Sequence, residues 1–119
     1  MTVFIGLPSF NEEYALPGLL DAIDECRADW GCGVFVIVVD DGSSDRTAEV
    51  AEEHRLAGTG ELAVARHGNN RGLAAAMSTA FEQFRDRSDS QDDVLVCMDA
   101  DGTHNPAYVA VLLKEIREG

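Results

Sequence analysis

A chain of 119 residues with 45% apolar content can bury a core, but its apolar blocks are all shorter than the roughly 18–20 residues needed to cross a bilayer. Twenty-two acidic residues against nine basic ones, a formal charge of −13, exclude the clustered Lys and Arg surface that holds nucleic acid. The same charge leaves room for a phosphorylated ligand, provided a divalent cation stands between carboxylate and phosphate.

In chain order, Val3-Phe4-Ile5-Gly6-Leu7 reads as a short strand stopped by Pro8. Asn11 can cap the first helix, in which Leu16, Leu19, Leu20, Ile23 and Cys26 recur at helical spacing. Pro17 suits only a first turn, so the helix is expected to start near Leu16, with Trp30 covering its far end. Val34 to Val39 is an unbroken apolar run, the pattern of a strand covered on both faces. Gly42, Ser43 and Ser44 form a turn, and Asp45 is a candidate cap for a helix carrying Thr47, Val50, Ala51 and His54.

A weaker strand, Leu62 to Ala65, leads through the loop Gly68-Asn69-Asn70-Arg71-Gly72 to a helix with Leu73, Ala76, Met77, Ala80, Phe81 and Phe84 on its apolar stripe. Arg85 to Asp93 reads as a polar surface connection. The fourth strand, Val94 to Met98, ends in Asp99-Ala100-Asp101-Gly102-Thr103-His104. Asn105 and Pro106 then open a last helix striped by Val109, Leu112, Leu113 and Ile116. Such alternation predicts an α/β, Rossmann-like, mostly parallel sheet with helices on both faces. Residues 1–119 are expected to form one unit. Cys26, Cys32 and Cys97 make no CxxC pair and no disulfide scaffold, and MTVFIGLPSF lacks the features of a signal peptide. The expected location is the cytoplasm, free or at the cytoplasmic face of the membrane.

In open α/β sheets ligands bind at the carboxyl ends of the strands. Here those ends carry Pro8-Ser9-Phe10-Asn11-Glu12, Asp40-Asp41-Gly42-Ser43-Ser44-Asp45 and Asp99-Ala100-Asp101, which would converge on one edge. Two carboxylates closing a buried strand are costly without a partner, and their i, i+2 spacing lets a loop aim both at one point. Hard oxygen ligands suit Mg²⁺ or Mn²⁺, with Asp101 the first choice as direct ligand and Asp99 at the metal, its waters or the sugar. Plainer readings make these aspartates turn formers and helix caps, and His54, His67 and His104 surface or loop residues.

Four ordered segments carry a resemblance. They are Pro8-Ser9-Phe10-Asn11-Glu12-Glu13, Val39 to Thr47, Asn70 to Ala76, and Met98 to Pro106. Together they resemble the N-terminal part of family 2 glycosyltransferases with the GT-A fold, nearest the dolichol-phosphate mannosyltransferase and polyprenyl-phosphate sugar synthase group. The resemblance implies a nucleoside-diphosphate sugar donor, with a GDP or UDP leaving group, and an acceptor such as a polyprenyl phosphate. It implies that Pro8, Ser9 and Glu12 line the base and ribose pocket, and that Asp40 or Asp41 accepts a hydrogen bond from the base. Arg71 and Gly72 would border the nucleotide, and Asp99 and Asp101 would meet metal and diphosphate.

The acceptor site and catalytic base of the family come from later sequence, so no residue here is assigned as the base. Phe10 replaces a frequent Tyr, Thr103 stands where some synthases have Gln, and Ala80 stands where Gly is common. An inactive nucleotide-sugar-binding module is the main alternative. A haloacid-dehalogenase-type phosphatase fits Val94 to Thr103 but requires that motif near the start of its fold. A receiver-like phosphoacceptor domain would leave the DxD unexplained. An open sheet edge also makes self-association an expectation.

Overall fold

The computed structural model describes residues 1–101 and 105–118. Four parallel strands, β1 (Thr2–Ser9), β2 (Gly33–Asp40), β3 (Leu62–Arg66) and β4 (Val94–Cys97), lie in the order β3-β2-β1-β4. The helices among them are α1 (Leu16–Cys26), α2 (Thr47–Glu52), α3 (Arg55–Gly58), α4 (Leu73–Arg87) and α5 (Tyr108–Glu118).

Side-chain alternation along the two central strands explains why both faces are covered. Val3, Ile5 and Leu7 of β1, with Val34, Val36 and Val38 of β2, face a core shared with Leu16, Leu20 and Ile23 of α1, Ala51 of α2, Leu56 of α3 and Val109 and Leu113 of α5. Phe4, Ile37 and Val39 point the other way, onto Ala76 and Ala80 of α4. The β1-to-β2 and β2-to-β3 connections step one way across the sheet, while the β3-to-β4 connection steps back past β1. A right-handed crossover then sends α4 to the opposite face. The expected Rossmann-like α/β sheet with helices on both faces is what forms.

Local details depart from expectation in several places. β1 does not stop at Pro8 but pairs through Pro8↔Val39 to Ser9↔Asp40. Gly6 O accepts from Met98 N on the β4 side and Ser9 O accepts from Asp41 N on the β2 side, so Pro8, in step with Gly6, faces the side where β4 has already ended. Its missing N–H therefore costs no rung of the ladder. Asn11 is not a helix cap: Ala15 takes that position, and Asn11 adopts φ 53° in the loop before it.

The helix expected to include His54 is two helices. His54 sits extended between α2 and α3, its Nδ1 accepting from Leu56 N at 3.1 Å and its Nε2 2.7 Å from Asp21 Oδ1. It is a cap, not a residue on a helix surface. Finally, the α4 stripe is only partly buried. The small Ala76 and Ala80 lie against the sheet, while Leu73, Met77 and Phe81, one helical face, are 61%, 44% and 53% exposed. Trp30 does close the far end of α1, buried after the 3-10 turn Arg27–Asp29, and the three cysteines are free.

Candidate functional site

The carboxyl edge of the sheet is built from three loops that side chains tie to one another. Between β1 and α1, Asn11 N donates to Ser43 Oγ at 2.9 Å, Glu12 N to Thr47 Oγ1 at 2.9 Å and Glu13 N to Asp45 Oδ2 at 3.2 Å. In return Ser44 N donates to Asn11 Oδ1 at 2.9 Å. Each loop thus satisfies the backbone donors of the other, which is why both keep an irregular path at the surface. Asp45 also accepts from Thr47 N and the Thr47 hydroxyl, but it is not the expected cap: Arg46 holds the N-cap position of α2, without a side-chain cap bond, and Asp45 braces the turn one residue earlier. Burial would raise its carboxyl, but the hydrogen bonds from Thr47 and Glu13 hold it below the usual aspartate range.

Asp40 and Asp41, equivalent in the sequence, separate here. Both are buried. Asp40 Oδ1 accepts from Ser43 N at 3.0 Å and so shapes the turn at Gly42. Asp41 reaches the third loop: its Oδ1 accepts from Arg71 N at 2.9 Å and its Oδ2 from Gly72 N at 2.9 Å. The His67 ring completes the clasp, with Nδ1 2.7 Å from Asp41 Oδ1 and Nε2 2.8 Å from Thr79 Oγ1 on α4. Burial pushes the Asp41 carboxyl up, and the bonds from His67, Arg71 and Gly72 bring it below the usual value. Gly42, at φ +75°, lies so close to this loop that a Cβ there would fall 2.3 Å from Asn69 C.

Pro8, Ser9, Phe10, Asp41, Asn70, Gly72, Leu73 and Ala76 line a cavity of about 180 Å³ at the start of α4. That is smaller than the roughly 300–1,000 Å³ of a whole small-molecule site, so it admits part of a ligand. Four of the sequence-predicted residues, Pro8, Ser9, Asp41 and Gly72, therefore share one wall. Asp40 is not among the lining residues, and Arg71, an exposed residue, reaches this wall through its N–H bond to Asp41.

Glu12 belongs to a second cluster. Its carboxyl is raised above the usual range by burial first, then by the charges of Asp101 and Asp45. The DxD loop thus runs beside the β1–α1 loop, and Asp99 and Asp101, both exposed, flank the buried Ala100. Among the described residues, no three His, Cys, Asp or Glu side chains are disposed to hold a metal ion. The donor set still fits Mg²⁺ or Mn²⁺, which take one or two carboxylates and fill their remaining positions with water and phosphate oxygens. Thr103 and His104 lie outside the described residues. His67 is the residue sequence reading missed: it is placed in a loop, as expected, but it is buried and its carboxylate partner lies 26 positions away.

The glycosyl transferase family 2 model matches residues 4–119. The dolichol-phosphate mannosyltransferase of Pyrococcus furiosus is 34% identical over 119 residues, all of this chain and 31% of the relative. The polyprenol monophosphomannose synthase of Mycolicibacterium smegmatis is 34% identical over 95% of this chain and 40% of its own length. An undecaprenyl-phosphate 4-deoxy-4-formamido-L-arabinose transferase of Pseudomonas aeruginosa is 29% identical over 98% of this chain and 33% of the relative. The chain thus spans between about a third and two fifths of these relatives.

The crystal structure of Staphylococcus aureus TarS 1–349 superposes with a TM-score of 0.73 at 21% identity, over 99% of this chain and 33% of that one, which is a likeness of fold consistent with GT-A architecture. The chain belongs to glycosyl transferase family 2 and within it resembles the dolichol-phosphate mannosyltransferase and polyprenyl-phosphate sugar synthase group.

Proposed function

We propose that these residues form the donor-binding part of a glycosyltransferase that takes its sugar from a nucleoside-diphosphate sugar. One observation carries the reading: a small cavity lined by Asp41 lies on the same sheet edge as the carboxylates of Glu12, Asp45 and Asp101, where burial first and then the charges of Asp101 and Asp45 raise the Glu12 carboxyl. An apolar-walled slot with a carboxylate acceptor suits a base, and a carboxylate-rich rim suits a cation-bound diphosphate.

Pro8 and Phe10 would pack against the base, Asp41 would accept from its N–H, and Gly72 lets the backbone approach the ribose side. Asp101, with Asp99 beside it, would hold Mg²⁺ or Mn²⁺. When bound, that ion neutralises charge developing on the diphosphate leaving group. The acceptor would attack the anomeric carbon from the opposite face. The names of the relatives favour a polyprenyl phosphate, whose oxygen is already nucleophilic and needs little base assistance. We assign residues 1–119 to one part of a larger catalytic domain working at the cytoplasmic side of the membrane. Among the described residues no helix is long and apolar enough to cross a membrane.

Calorimetry with nucleoside-diphosphate sugars, with and without Mn²⁺, tests the reading. Binding should require the metal and weaken at least about tenfold in Asp101→Ala, since a charge-assisted contact is worth on the order of 1.5–3 kcal/mol. Equal binding by the variant would refute it.

A further inference from the structure

A buried carboxylate has about four acceptor positions, two on each oxygen. On Asp41 three are already taken: Oδ1 receives His67 Nδ1 and Arg71 N, and Oδ2 receives Gly72 N. Because the ionised carboxylate only accepts, Nδ1 of His67 must carry the proton in this contact. Thr79, whose Oγ1 lies 2.8 Å from Nε2, fixes the ring from behind. Asp41 therefore brings a single open acceptor, on Oδ2, to the cavity it lines.

We infer that His67 is a positioning residue which, by filling Oδ1, restricts the base site to a ring with one N–H flanked by carbonyls, a uracil-type imide. This rests on the donor-binding reading above. A guanine edge presents adjacent N1–H and N2–H donors, which pair with a carboxylate through both oxygens, and Oδ1 has no place left. One guanine donor would then go without a carboxylate oxygen and lose the stronger, charge-assisted bond. Asn70 lines the same cavity and its amide N–H can donate to a flanking carbonyl.

The test is titration with UDP and with GDP at the same Mn²⁺ concentration, for the wild type, His67→Leu and His67→Asn. UDP should bind the wild type at least about tenfold more tightly than GDP. His67→Leu frees Oδ1 and should narrow that ratio to about threefold or less. His67→Asn, whose amide N–H can replace Nδ1–H, should restore it. Should His67→Leu fail to fold, Thr79→Val, which leaves the imidazole unheld, should narrow the ratio in the same sense.

GDP bound as tightly as UDP by the wild type overturns the inference while leaving donor binding intact. So does an equal loss of both nucleotides in the variants, which is what a merely structural His67 would produce. Failure of both nucleotides to bind the wild type overturns the donor-binding reading and this inference together.

Discussion

Asp41 is a buried carboxylate that stays charged because three groups hold it at once. Desolvation opposes the charge, but two backbone N–H groups and an imidazole more than offset it, and the native carboxyl ends below the ordinary value of 3.8. A lowered native pKa means that the unfolded chain binds more protons in the acid range, so stability rises with pH there. The stability from Asp41 should be fully present above about pH 4 and disappear as pH falls through its native pKa. Asp41→Asn turns an amide donor toward existing donors. Urea unfolding at pH 7 should show a loss of about 1–3 kcal/mol, and the difference from wild type should shrink in acid. A constant difference at all pH values would contradict this account. The sequence offered Asp40 and Asp41 as equals, since two identical side chains at the end of a strand differ only in the direction each takes. What each meets is decided elsewhere in the chain.

Among elements, the loops matter more than the helices they join. The β1–α1 and β2–α2 loops exchange four backbone donors, and the 68–72 loop is pressed onto Gly42. Gly42→Ala should cost at least about 3 kcal/mol, because left-handed strain is added to a collision with backbone that cannot yield. Gly60→Ala is the control. Its φ of +80° is equally left-handed, yet a Cβ there meets nothing within 4 Å, so about 1 kcal/mol is expected. Equal midpoints in urea for the two variants would show that the contact carries no energy. Helix and strand positions were legible because each obeys a local period. The break at His54 was not, since it depends on a capping bond to Leu56 N and on burial of Leu56 against the sheet.

At the scale of the whole molecule, two features bear on the division of labour proposed above. The exposed face of α4 with Leu73, Met77 and Phe81 is one, and a length about a third that of the Pyrococcus relative is the other. If acceptor binding depends on further sequence, the 119-residue chain should bind donor yet transfer no sugar to polyprenyl phosphate. A chain extended to the relatives' length should transfer it, as a radiolabelled donor would show. Transfer at full rate by the short chain would refute this division of labour.

The sequence by itself determined the α/β alternation, the two-sided burial of Val34 to Val39, the family, and the rule that chemistry gathers at strand ends. All of these come from spacings of two to four residues, or from motifs read in order. Only the tertiary structure decided that Asp41 and not Asp40 faces the cavity, that His67 serves Asp41, and that Glu12 feels Asp101. Those partners lie between 26 and 89 positions apart by residue number, and parallel strands with right-handed crossovers are what bring them to one edge.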